Sequence, residues 1–293
     1  MAVLRELLRS GDMICGTMVS EVAVPNLAYM LKECGFQFII IDCEHGSFDY
    51  SQVSALLTGA RGSMLPAIIR LPDNTRANII KYLDMGAQGL LLPMTNSLDD
   101  IIPVAQMARY PPAGLRGIST TRAHNGYNSS NFSDYIRRAN AEVMVFAQLE
   151  TSDGIADADR ILALEGVDGI FIGPNDLSMD LGVFGKLDAP ELDAAIRNVA
   201  SICTVKKKVW GVITSNLPLI RSCREKGMEI VSCGSETGMI IQCGRQLVQN
   251  LKHTEQELQD VKCGRTTITR MIPVLPLWKS FCCGTAKFIE EKR

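Results

Sequence analysis

Short apolar runs alternate with segments of helical period from residue 13 to about residue 252. The runs at 13–19, 37–42, 64–70, 88–93, 143–149, 169–172, 209–215 and 228–234 are close to continuously hydrophobic. That is the pattern of strands buried on both faces, as in a parallel sheet covered by helices. Between them the 3.6-residue period predicts helices at about 25–33, 50–61, 74–85, 98–109 and 151–164. Another follows the 209–215 run, and a last one starts near 235 and reaches 249 or beyond. Asp73 or Asn74 is placed to cap the 74–85 helix. The sixth run breaks at Gly173-Pro174 into a loop that delivers Asp176.

One connection departs from the rhythm. YPPAGLRGISTTRAHNGYNSSNFSDY, which begins at Tyr110, is long and rich in Gly, Pro, Ser and Asn. Loops of that size in compact domains are usually functional or disordered.

Eight strands each followed by a helix is the count of a (β/α)₈ TIM barrel, and about 250 residues is its usual size. A doubly wound open sheet is the alternative. It would call for a Gly-rich phosphate turn after the first strand, and no GxGxxG stands there. The barrel occupies residues 1–255, and 256–293 form a C-terminal extension without clear period.

In such a barrel the chemistry sits at the C-terminal ends of the strands. Those ends carry His45 after the second strand, Arg70 closing the third, Glu150 after the fifth and Asp176 after the sixth. Parallel strands bring Glu150 and Asp176 to one end of the sheet, where two carboxylates repel unless a cation lies between them. A hard divalent ion with oxygen ligands, Mg²⁺ or Mn²⁺, fits that position. The competing reading makes each acid a helix cap. His45 reads alternatively as a plain loop histidine, and Arg70 as the partner of a nearby acid at the rim.

Composition narrows the field. The chain has 293 residues, 46% hydrophobic, with a net charge of −2. It presents no basic footprint for nucleic acid. No apolar run approaches the roughly 18 residues of a membrane span. The ten cysteines include no CxxC pair, and no signal peptide is evident, so they read as reduced thiols of a cytoplasmic protein. A Schiff-base lysine at a strand end is also missing: Lys32, Lys81, Lys186, Lys207 and Lys226 fall in helices, loops or the approaches to strands.

The segments IIIDCEHG, PAIIR, GAQGLLLPM, ARYPPAGLRG, QLET and EGVDGIFIGPNDLS resemble the HpcH/HpaI family of class II, metal-dependent pyruvate aldolases over roughly residues 10–250. The resemblance implies a barrel of the phosphoenolpyruvate/pyruvate-binding type and an aldolase cleaving a 4-hydroxy-2-oxo acid to pyruvate and an aldehyde. It implies that Glu150 and Asp176 bind the divalent metal (Mg²⁺, Mn²⁺ or Co²⁺), and that His45 and Arg70 carry the acid/base and enolate chemistry. Asp84 matches a family aspartate that orients the histidine, across a subunit contact. Backbone donors around Gly173, Pro174 and Asn175 are expected to hold the substrate carboxylate, because a Gly-Pro break exposes unpaired N–H groups. Substrate choice is expected in the long loop, where Arg122, His124 and Tyr127 are the candidates and Arg116-Gly117 orders the turn. A homo-oligomer, commonly a hexamer exchanging its last helix, follows by the same resemblance. A diverted metal–enolate enzyme, decarboxylating oxaloacetate and trapping the enolate as macrophomate synthase does, and a non-catalytic barrel are the alternatives.

Overall fold

The computed structural model describes residues 4–128 and 130–263. Eight parallel strands close into a barrel in chain order. They are β1 (Ile14–Val19), β2 (Phe38–Asp42), β3 (Ala67–Arg70), β4 (Gly89–Leu92), β5 (Met144–Leu149), β6 (Gly169–Ile172), β7 (Val209–Ile213) and β8 (Ile230–Ser235). The helices are α1 (Leu4–Leu8), α2 (Leu27–Glu33), α3 (Tyr50–Gly62), α4 (Arg76–Met85), α5 (Leu98–Met107), α6 (Phe132–Glu142), α7 (Ser152–Ala163), α8 (Pro174–Asp180), α9 (Pro190–Lys206), α10 (Leu217–Glu225) and α11 (Glu236–Lys262). The expected TIM barrel is what the chain forms.

Side-chain alternation divides the core in two. Phe38, Ile40, Ile68, Leu91, Met144, Phe146, Phe171 and Ile230 fill the barrel interior, while Ile39, Ile41, Ile69, Leu90, Val145, Ala147, Ile170 and Val212 face the helices. Continuing each inward column to the C-terminal end places Asp42 after Ile40, Arg70 after Ile68, and Gln148 then Glu150 after Phe146. The period of two therefore selects which polar residues face the mouth.

The other end is closed by α1, which composition patterning did not reveal. Leu4 and Leu8 join the interior cluster. The Leu4 N–H donates to Gln88 Oε1 at 3.0 Å, and Arg5 donates to Asp168 at 2.7 Å. Both partners immediately precede strands, so α1 covers the N-terminal rim.

Three local expectations are corrected. The 74–85 helix begins at Arg76 with Thr75, not Asp73 or Asn74, in the cap position; Asp73 instead accepts from the Thr75 N–H at 2.8 Å. The segment after β6 is a short helix, α8, with Pro174 at its first position and Gly173 before it. Proline's fixed φ and missing N–H suit a helix start. The long connection contains a 3-10 turn at Ala123–Asn125 and then α6, whose start is capped by the Asn131 side chain accepting from the Asp134 N–H. Phe132, Tyr135, Ile136 and Ala139 had the helical spacing; the polar composition around them hid it.

The chain divides into two units, Met1–Ile240 and Ile241–Arg293. Among the described residues no helix is long and apolar enough to cross a membrane. Most of the 256–293 extension, including Cys282-Cys283, lies outside the described residues; α11 itself continues to Lys262.

Candidate active site

The barrel mouth is built around an arginine whose orientation is fully determined. Asp42 and Arg70 are register partners on β2 and β3. Arg70 Nε donates to Asp42 Oδ1 at 2.9 Å and Nη2 to Oδ2 at 2.5 Å, a two-point contact of planar groups. Nη1 lies 3.2 Å from Glu44 Oε2. Asp42 Oδ1 also accepts the N–H groups of Glu44 and His45, at 3.1 and 3.2 Å. Burial alone would raise the Asp42 carboxyl, but the Arg70 guanidinium and those two amides hold it below the usual range. One carboxylate thus fixes both Arg70 and the backbone that presents His45.

Glu44 and His45 stand on the loop after β2. His45 is 73% exposed, with Nε2 3.8 Å from Glu44 Oε2. Burial raises the Glu44 carboxyl, against the pull of Arg70 and His45 and with the push of Asp42 and Asp176.

Glu150 lies across the mouth at the end of β5 and is buried. Its Oε2 accepts from the Met94 N–H at 2.9 Å and its Oε1 from Gln148 Nε2 at 2.5 Å. Burial first, then the negative charges of Asp176 and Glu44, push its pKa up to about 7, despite those two donors. Gly173 leaves room for it: a Cβ at 173 would overlap Glu150 Oε1 and stand 2.7 Å from Cγ.

These contacts bear on the capping reading of the two acids. The start of α7 is capped by Thr151, whose side chain accepts from the Gly154 N–H at 3.2 Å, so Glu150 is not a cap. The residue preceding α8 is Gly173, and Asp176 lies in that helix's first turn, exposed at the mouth. Glu150, Asp176 and Glu44 form a patch of acids, and the charges of Asp176 and Glu44 add to the upward push on Glu150. Among the described residues no group of three or more His, Cys, Asp or Glu is assembled to hold a metal ion alone.

One expectation about the substrate carboxylate is corrected. The Gly173 N–H is not free; it donates to the Leu149 carbonyl at 3.1 Å, continuing the β5–β6 ladder. Pro174 has no N–H, so Asn175 supplies the first unbonded amide of the α8 turn.

The family model described as HpcH/HpaI aldolase/citrate lyase matches residues 18–243, nearly the whole barrel. The chain belongs to this family. A hydroxypyruvate/pyruvate aldolase from Roseovarius nubinhibens is 33% identical over 242 residues, covering 83% of this chain and 93% of that one. A 5-keto-4-deoxy-D-glucarate aldolase from an Enterobacter species is 29% identical over 233 residues, covering 80% and 90%. The crystal structure of an HpcH/HpaI aldolase from Desulfitobacterium hafniense superposes with a TM-score of 0.82 at 26% identity, covering 86% and 97%. This HpcH/HpaI chain is a carbon–carbon lyase of aldolase type.

The remaining site candidates of this HpcH/HpaI barrel fall elsewhere in the single chain. Helices return antiparallel to strands, so α4 and α5 end at the N-terminal rim, and the long loop starts there. Asp84 accepts from Arg116 Nη2 at 2.8 Å and lies 3.7 Å from His124 Nε2. Arg116 stacks on Tyr110, 4.7 Å from the ring centroid, and His124 lies 5.1 Å from Tyr135. The His124 imidazole is buried, and burial with the Arg116 charge lowers its pKa. Arg122 and Tyr127 are exposed, Tyr127 in the left-handed region at φ 60°. Within one chain, then, Asp84, Arg122, His124 and Tyr127 do not meet His45 or Glu150. They sit at the opposite rim, so within one chain the loop expected to set substrate choice does not reach the mouth.

Asp42, Glu44, Met94 and Gln148 are the mouth residues that motif reading passed over. For Asp42 and Gln148 the signal existed in the inward parity of β2 and β5. For the Met94 amide there was none.

Proposed function

We propose that the chain is a divalent-metal-dependent aldolase that cleaves a 4-hydroxy-2-oxo acid to pyruvate and an aldehyde. The observation carrying this reading is the buried Glu150 carboxylate, raised to about 7 beside the charges of Asp176 and Glu44. Acids held together at a barrel mouth are a donor set for a hard cation. Glu150 and Asp176 would hold the ion, and with only two protein ligands most of its coordination is left for water and substrate. When bound, the cation supplies Lewis-acid polarisation of the substrate's keto oxygen.

The chain's own residues do the rest. Arg70, clamped by Asp42, presents a fixed positive charge where the keto oxygen gains negative charge. His45, exposed beside Glu44, takes the C4 hydroxyl proton as the C3–C4 bond breaks. The aldehyde leaves, and the pyruvate enolate is protonated at C3. The Asn175 amide is the donor for the substrate carboxylate. No strand carries a lysine, which agrees with a route that forms no imine.

The names of the similar aldolases direct the substrate search to hydroxypyruvate with simple aldehydes and to deoxy-keto sugar acids. The test is a pyruvate-release screen over 4-hydroxy-2-oxo acids with Mg²⁺, Mn²⁺ and Co²⁺. EDTA should abolish release, and borohydride with pyruvate should leave it intact. Release that survives chelation, or inactivation by borohydride, would replace the metal route with another.

A homo-oligomer belongs to the same reading. Ile240, Leu247, Leu251 and Leu258 are exposed along α11 at spacings of four and seven, as on a helix that packs against another copy. Light scattering giving a monomer would remove it. Asp84 would act on His45 only across such a contact.

A further inference from the structure

A buried carboxylate on the far side of the mouth takes no part in the chemistry above. Glu236, the first residue of α11, is 2% exposed. Its Oε1 accepts three consecutive amides of the β1–α2 connection: Ser20 at 2.7 Å, Glu21 at 2.7 Å and Val22 at 3.2 Å. Its Oε2 is buried with no hydrogen-bond partner among the described residues. Burying a carboxylate is costly unless donors compensate, and three amides converging on one oxygen supply that compensation. They also determine the path of residues 20–22 across the β8–β1 seam.

What that path touches gives Glu236 its consequence. The loop bearing Glu44 and His45 turns back at Gly46, where a Cβ would overlap the Asp42 carbonyl and stand 3.0 Å from the Ser20 carbonyl. The Ser20–Glu21 peptide is therefore gripped by Glu236 through the Glu21 N–H while the Ser20 carbonyl walls the turn directly after His45. Asp42 fixes the same loop from inside, through the His45 and Glu44 amides. The His45 loop is held between these two carboxylates, and only Asp42 also contacts Arg70.

We propose that Glu236 is a positioning residue for the lyase reaction, holding the His45 loop in place through the Ser20–Val22 backbone. The inference rests on the reading of His45 as proton acceptor. A misplaced acid/base group slows chemistry more than it weakens binding, and a shift near 1 Å costs about 10²-fold.

The experiment is a double-mutant cycle on the full chain, scored by kcat of pyruvate release, with KM, Mn²⁺ affinity and Tm measured alongside. E236A should lower kcat by ~10- to 100-fold, with KM and Mn²⁺ affinity within about threefold of wild type. H45A should be slow, and H45A/E236A should be no slower than H45A within about threefold. A residue that merely supports the fold would instead give multiplying losses. If E236A does not fold, E236Q carries the same cycle, because it keeps one acceptor oxygen and loses the charge. A slow H45A beside wild-type E236A and E236Q, or additive losses in the double variant, overturns this inference alone. H45A at the wild-type rate overturns the reading of His45 and this inference with it.

Discussion

Asp42 and Arg70 stand opposite each other in the β2–β3 register, and their side chains meet in two hydrogen bonds of 2.9 and 2.5 Å inside the barrel mouth. The pair is almost fully buried, so removing one member leaves the other's charge without a partner. Arg70→Met should destabilise the protein by about 3 kcal/mol, the range for breaking a buried ion pair. Arg70→Met with Asp42→Leu should recover much of that. Urea unfolding measures both, and a single-variant change below about 1 kcal/mol would show the pair to be screened by solvent.

Glu150 should give the metal-free protein a distinctive pH dependence. Its folded-state pKa of about 7 lies above its ordinary value of 4.5, so the folded state binds the proton more tightly. The stability it contributes is full below about pH 4.5 and is lost as pH rises through about 7, at roughly 1 kcal/mol per pH unit. Glu150→Gln should flatten this slope in urea titrations between those limits. Cation binding runs the other way, since the ion needs the ionised carboxylate. Mn²⁺ affinity should fall as pH drops below about 7, with proton release on binding, and an affinity flat from pH 5 to 8 would remove Glu150 as a ligand.

Gly173→Ala tests whether the acid patch has a required shape. The backbone there has φ −95°, open to any residue, and the nearest atoms a new Cβ would overlap belong to Glu150. Displacing that carboxylate should weaken Mn²⁺ binding by about 10-fold or more, while overpacking costs roughly 1–3 kcal/mol. Calorimetric titration showing unchanged affinity would count against Glu150 as the anchoring ligand.

His45→Ala should slow aldol cleavage by ~10²- to 10⁴-fold, the range for a positioned acid/base. Mn²⁺ binding should persist, because His45 is exposed and its imidazole stands 3.8 Å from Glu44 Oε2, on the loop after β2. Activity within a few-fold of wild type would take His45 out of the mechanism.

Asp84 permits a complementation test. Its contacts within the chain are Arg116 and His124 at the far rim. Asp84→Ala should cost about 3 kcal/mol by stranding the buried Arg116. Mixing dissociated His45→Ala and Asp84→Ala subunits should restore activity, since the mixed contact reunites an intact His45 with an intact Asp84. Failure to restore would confine Asp84 to a structural role at that rim.

Much of this molecule was legible before any coordinates. The eight apolar runs were sufficient for the barrel, because a strand buried on both faces has little choice of composition. The strand ends were sufficient to place His45, Arg70, Glu150 and Asp176 at one rim of the barrel. The errors concentrated where the decisive contact is remote in sequence. Substrate choice was read into the long loop through Arg122, His124 and Tyr127, yet α5 returns to the opposite rim and Asp84 ties the loop there. The Gly173 amide was assigned to substrate, yet Leu149 on the neighbouring strand takes it.

The sequence by itself determined the periodic properties: strand count, inward and outward columns, and which titratable residues end each strand. These depend on composition at fixed spacing along the chain. Only the tertiary structure decided the pairings that give those residues their chemistry. Asp42 with Arg70, Met94 with Glu150, Gly173 beneath Glu150 and Glu236 on the Ser20–Val22 amides all join residues 23 to 216 positions apart. Barrel closure and register bring such residues together, and electrostatics falls off with distance in space, not with separation along the chain.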